Sequence, residues 1–159
     1  MAGAAYEDQD AVIEMDVLPP RWLDVQDEVS RLLDTVSSQM TRLDGMHAKH
    51  VLPGFEDEEV KQKEERDIER LTQDITRGFQ GCQRAIKRIE QMIKESRQRG
   101  DVSQGEEVMA RNLQISLATR VGDVSATFRK KQSNYLKSIT PYRSAVKGPG
   151  LTVSKNSRL

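Results

Sequence analysis

The chain has 159 residues, room for one domain, and its 25 Lys and Arg cancel its 25 Asp and Glu. A zero net charge argues against a dedicated nucleic-acid binder, which carries a basic excess, and a lone cysteine, Cys82, excludes an internal disulfide. With 31% charged residues and only 4% aromatics, the composition favours long helices over a sandwich or barrel. No run of about 18 apolar residues could span a bilayer, and no basic-then-apolar leader opens the chain. The expectation is a soluble, cytosolic, mostly helical module.

Charge is nevertheless unevenly spread. Residues 1–20 carry Glu7, Asp8, Asp10, Glu14 and Asp16 and no base. Residues 129–159 carry Arg129, Lys130, Lys131, Lys137, Arg143, Lys147, Lys155 and Arg158 and no acid. An acidic head and a basic tail read as flexible ends, and Gly148-Pro149-Gly150 adds turn chemistry to the tail.

Between the ends lie three periodic segments. The first opens at Pro19-Pro20, where proline's missing N–H has no helical partner to lose. Trp22, Val25, Val29, Leu32, Val36, Leu43, Met46 and His50 follow at steps of three and four, with Gln39 filling one beat. That spacing predicts a helical stripe, widened on one side by Leu33 and Met40, and Pro53-Gly54 ends it. The second segment begins with Glu56–Glu59, suited to the positive pole of a helix dipole. Its stripe runs Ile68, Ile75, Phe79, Cys82, Ile86, Ile89 and Ile93, broadened by Leu71, Ala85 and Met92, and Arg97, Arg99 and Gly100 form a stop signal. The third starts at Ser103-Gln104-Gly105-Glu106, a capping-box pattern. Met109, Leu113, Leu117, Val121, Val124, Phe128, Tyr135 and Ile139 carry its stripe, and Pro141 is expected to end or kink it near Thr140.

Three such helices, about 20–50, 57–98 and 103–140, with connections of about ten residues, predict an all-α, extended antiparallel up-down-up three-helix bundle over 18–142. Residues 1–17 would be the acidic head and 143–159 a flexible basic linker.

Chemistry-bearing motifs are missing. There is no GxxxxGK[ST], no GxGxxG after a strand, no HExxH and no paired CxxC. His47 and His50 share a helical face, but a metal site needs three or four ligands, so one is read as packing at the stripe's end and the other as solvated. Cys82 sits in the apolar stripe without an adjacent histidine and reads as a small buried hydrophobe. No enzyme and no cofactor are indicated. Two features are less ordinary. Gly78, Gly81, Cys82 and Ala85 place small residues mid-helix, for close packing of a sister helix or a shallow groove for a fourth. Arg129, Lys130, Lys131 and Lys137 make a basic run, a solvated face or an attraction for anionic headgroups.

Four stretches stand out together: Leu18-Pro19-Pro20-Arg21-Trp22, His47-Ala48-Lys49-His50, the run Ile75 to Ile86 containing Phe79-Gln80-Gly81-Cys82-Gln83-Arg84, and Phe128 to Lys137. With these stretches the chain resembles the N-terminal Habc regulatory domain of syntaxins (Qa-SNAREs), of the trans-Golgi and endosomal syntaxin-sixteen type. The resemblance covers about residues 11–142. It implies a regulatory domain of a t-SNARE in vesicle docking and membrane fusion, on the cytosolic face of trans-Golgi and endosomal membranes. In that family a SNARE motif and a C-terminal membrane anchor follow, both absent from this chain, and a short N-terminal peptide docks on an SM-family chaperone. Residues 1–16 show no such basic-aromatic peptide.

Partners implied are the chain's own SNARE motif, an SM-family chaperone and cognate SNAREs, with the membrane reached only through the missing anchor and no nucleic acid. The expected binding surface is a groove between helices two and three. Its candidate lining is Gly78, Phe79, Gly81 and Arg84 on one side and Arg120, Val124, Lys131 and Tyr135 on the other. The stripes alone also fit a structural spacer or a homo-oligomeric coiled-coil scaffold, since heptads serve packing within and between chains equally.

Overall fold

The computed structural model describes residues 20–146, as three helices: α1 (Pro20–Val51), α2 (Glu58–Arg99) and α3 (Gln104–Val146). The acidic head and the basic tail from 147 onward lie outside the described residues. At 1.5 Å per residue α1 is about 48 Å long and the other two exceed about 60 Å. Contacts along the helices give the topology. Arg21, Glu28 and His50 of α1 meet Ser96, Arg88 and Glu64 of α2, so these two run antiparallel. Ser30, Asp44 and His47 meet Arg120, Lys131 and Tyr135, so α3 runs parallel to α1. The chain folds up, down and up.

Local signals account for the ends. Gly100 adopts φ 72°, the left-handed conformation that L side chains avoid. Its N–H donates to the Arg97 carbonyl and that of Asp101 to the Ser96 carbonyl, both at 3.1 Å, closing α2 in a Schellman turn. Three residues later Ser103 and Glu106 form a reciprocal box. The Glu106 N–H donates to Ser103 Oγ at 3.2 Å, and the Ser103 N–H donates to Glu106 Oε2 at 2.7 Å. These two devices make the α2–α3 connection four residues long and the α1–α2 connection spans 52–57, both tighter than ten. Pro141 does not end α3, which continues to Val146. Its missing N–H costs one bond to the Lys137 carbonyl in the last turns. Thr140 Oγ1 donating to the Leu136 carbonyl at 2.6 Å, and Ser138 Oγ to that of Asn134 at 3.0 Å, add ties along the same turns.

The three stripes meet in one core. Trp22, Val25, Val29, Leu33, Val36, Met40 and Leu43 of α1 are buried against Ile68, Leu71, Ile75, Phe79, Cys82, Ala85 and Ile89 of α2. Among the described residues α3 adds only Ala110, Leu117, Val121 and Phe128. At about 1.5–3 kcal/mol per fully buried large apolar side chain, α1 and α2 form the firmer pair and α3 the more lightly held helix. The centre of the α1 stripe also differs from the expected one. Leu33 and Met40 are buried, whereas Leu32 and Met46 are only partly so. The helix faces two neighbours at once, so its midline falls on the row that both can cover.

Candidate functional site

The eight residues proposed for one groove are distributed over three places. Gly78 and Gly81 face α1: a Cβ on Gly78 would come within 2.4 Å of Val36 Cγ2, and one on Gly81 within 3.4 Å of Leu32 Cδ1. At Gly78 the absent side chain is what lets the two backbones approach. Phe79 is in the core, its ring 5.8 Å from that of Phe128 and tilted by 43°. The α3 members point to α1 instead of α2. Arg120 Nη1 donates to Ser30 Oγ at 3.1 Å, Lys131 Nζ pairs with Asp44, and Tyr135 stacks on His47 with centroids 3.7 Å apart and planes within 5°. Val124 is partly buried against the core. The structure therefore does not assemble these residues into a single α2/α3 groove. A rotation of α3 by about one position, roughly 100°, would turn its members toward α2, but Gly78 and Gly81 would still face α1.

Two open clefts do exist. One lies between α1 and α2, about 680 Å³ in volume, floored by Leu32, Gly81 and Ala85 and rimmed by Arg84, Lys87, Arg88, Gln91 and Lys94, with Glu28 and Glu90 among them. Glu28 reaches across to pair with Arg88 and Glu90 pairs with Lys94, which leaves Arg84 and Lys87 without an ion-pair partner among the described residues. Gly81 and Arg84 of the expected lining meet here. The second cleft, about 420 Å³, lies between α2 and α3 near their connection and is lined by Glu90, Ile93, Lys94, Arg97, Glu107, Arg111 and Gln114. Arg97 spans it with two parallel bonds, Nε to Glu107 Oε1 at 2.9 Å and Nη2 to Oε2 at 2.8 Å. That fork lowers the carboxyl of Glu107 below its usual range and raises the guanidinium of Arg97. Sequence reading missed this second cleft; the only signal was opposite charge ten residues apart across the Gly100 turn.

Both histidines are engaged. His47 is buried under Tyr135, and burial, opposed by Asp44 and reinforced by His50, lowers its imidazole below the usual value. His50, expected to pack at the stripe's end, bridges α1 and α2, its Nδ1 3.3 Å from Glu64 Oε2 and its Nε2 3.6 Å from Glu65 Oε1. Neither histidine is the solvated one. Lys49 Nζ, 2.6 Å from Glu64 Oε1, holds that carboxyl down chiefly through this hydrogen bond. Among the described residues no three His, Cys, Asp or Glu side chains converge to hold a metal ion. Cys82 is fully buried, and burial raises its thiol, which disfavours the nucleophilic thiolate.

A buried clasp at the other end was also missed. Arg21 Nη2 donates to the fully buried Ser96 Oγ at 2.8 Å while its guanidinium lies 5.5 Å from the Trp22 ring. The indole N–H of Trp22 is itself buried without a hydrogen-bond partner among the described residues.

The described residues form a long three-helix bundle with continuous apolar stripes and open clefts between its helices, the architecture of an extended all-α bundle domain. No family model matches the chain. It is 44% identical over 128 residues to "t-SNARE affecting a late Golgi compartment protein 2" of Schizosaccharomyces pombe, covering 80% of this chain and 40% of that protein. Human Syntaxin-16 is 36% identical over 120 residues, 75% of this chain and 34% of that one. A solved structure of the SM protein Vps45 in complex with the Qa SNARE Tlg2 (1-310) superposes with a TM-score of 0.66 at 42% identity, covering 91% of this chain and 75% of the other. The chain belongs to the syntaxin family of Qa-SNAREs, in the branch of Tlg2 and syntaxin-16, and covers the N-terminal region of that family. It spans about 40% or less of the length of the curated relatives it matches.

Proposed function

We propose that this chain is the regulatory N-terminal bundle of a t-SNARE acting in vesicle docking and fusion at trans-Golgi and endosomal membranes, and that its work is binding rather than turnover. The observation that carries this reading is the likeness, at 42% identity, to a Qa SNARE seen in complex with an SM protein. The bundle controls SNARE assembly by receiving the amphipathic SNARE helix of its parent protein and by engaging an SM-family protein, its partners being that helix, the SM protein and the cognate SNAREs.

The α2/α3 cleft is the acceptor we favour for the SNARE helix. Ile93 offers a partly buried apolar floor there, and Lys94, Arg111 and Glu107 offer charges of both signs at its rim. α3 is also the helix with the fewest buried apolar side chains among the described residues, and the Arg97–Glu107 fork is the tie that an entering fourth helix displaces. A preference of a few kcal/mol for the covered form suffices to lower the open population tenfold or more. The test compares SNARE pairing rates of the parent cytosolic region with and without residues 18–142. Faster pairing after deletion supports the reading; equal rates remove it. Arg111→Glu should speed pairing in the intact region without changing the helicity of the bundle.

A further inference from the structure

We propose that the α1/α2 cleft is a docking groove for an amphipathic helix of another protein, one that carries acidic residues along the flank facing α2. This surface is distinct from the α2/α3 acceptor above, and its occupancy does not depend on the parent SNARE helix. The floor, Leu32, Gly81 and Ala85, is apolar and low, because Gly81 contributes no side chain and Ala85 only a methyl group. Long apolar side chains from a partner, such as Leu or Met, suit a trough of that shape. From Gly81 to Lys94 it runs about 20 Å along α2, the length of a helix of about 13 residues.

Both walls are helices, whose backbone amides and carbonyls are already paired within each helix. An extended peptide therefore finds no main-chain partners here, whereas a helix satisfies its own backbone and needs none. Charge then selects among helices. Arg84, Lys87, Gln91 and Lys94 follow one another at steps of three, four and three, an exposed row with no acid in it along the α2 wall. Lys94 is held by Glu90, and the neighbouring Arg88 by Glu28 of α1. Arg84 and Lys87 have no ion-pair partner among the described residues, so acids placed beside the partner's apolar stripe, on the α2 flank, meet them at the rim.

The probe is a synthetic helical peptide about 18 residues long, with Leu in a three-four stripe and Glu along one flank, titrated into the full 159-residue chain and followed by NMR. The amides of Gly81, Arg84 and Ala85 should shift saturably, and the same peptide with Lys for every Glu should bind about tenfold more weakly. This comparison needs no variant and decides by itself. Arg84→Glu with Lys87→Glu, both exposed, should weaken the acidic peptide about tenfold and strengthen the Lys peptide. Arg66→Glu with Arg70→Glu, exposed on the same helix outside the cleft, should leave both unchanged. No shift at the three amides, equal binding of the two peptides, equal loss from both charge-reversed pairs, or shifts centred on Arg111 and Gln114 in the other cleft overturns the proposal. So does binding to phosphatidylcholine–phosphatidylserine vesicles through Arg84 and Lys87 while the peptide stays free, which assigns the row to a lipid surface. Movement of the same amides on dilution of the chain alone assigns the cleft to a second copy and overturns it too.

Discussion

At the scale of single residues, the glycines divide by what a methyl group would meet. A Cβ at Gly78 collides with Val36, whose β-branched side chain is fully buried and has one favoured helical rotamer. Gly78→Ala should therefore cost about 1–3 kcal/mol of overpacking, more than the roughly 1 kcal/mol of helix propensity it gains. Gly122→Ala, with nothing within 4 Å, should stabilise by about 0.5–1 kcal/mol. Urea melts of the two variants should move in opposite directions; a shared direction would mean the α1/α2 approach is looser than described. His47 supplies the pH response. Its imidazole is held below the ordinary 6.5 mainly by burial, so the unfolded chain binds the proton that the folded chain resists. Stability from this residue is fully present above about pH 6.5 and is lost as pH falls through 6.5 toward the lower folded value. Thermal midpoints at pH 7.5 and 5.5, about one unit to either side, should differ in the native chain, and His47→Phe, which keeps the stack on Tyr135, should shrink that difference. Glu64 and Glu107, both held low by their cations, add acid sensitivity of the same sign only below the carboxylate range near 4.5.

At the scale of helices, the ends and periods were legible and the rotations were not. Stripes at three-four spacing located α1, α2 and most of α3, because burial of one face is written directly into residue spacing. The box at Ser103 and the stop at Gly100 were readable because each uses local hydrogen bonds between residues a few positions apart. Ser103→Ala should cost about 1 kcal/mol, and Gly100→Ala about 1–2 kcal/mol from the strain of a left-handed alanine. The pairing of Arg21 with Ser96, 75 residues apart, had no local signature at all. Nor did the facing of Arg120, Lys131 and Tyr135 toward α1, since one position along a helix turns a side chain by about 100°. Three of the eight candidate groove residues were lost to that single uncertainty. Gly81 and Arg84 do border a cleft, but on the α1 side of α2.

At the scale of the whole molecule, burial is unequal. Among the described residues α1 and α2 each bury seven apolar side chains and α3 four, and the Phe79–Phe128 contact is the aromatic link between α2 and α3. Hydrogen exchange should accordingly release the amides of α3 before those of α1 and α2. Phe128→Ala, removing a ring 6% exposed, should cost about 3–5 kcal/mol and make that early release more pronounced. Simultaneous release of all three helices would mean a single cooperative unit in which α3 is no weaker than its neighbours.

The odd number of helices has a geometric consequence. Because α1 and α3 ascend together, the chain comes in at one pole and leaves at the other, whereas two or four helices would bring it back to its starting side. The first described residue, Pro20, thereby lies roughly 60 Å, the length of α3, from the last, Val146. The bundle is a strut between its two poles.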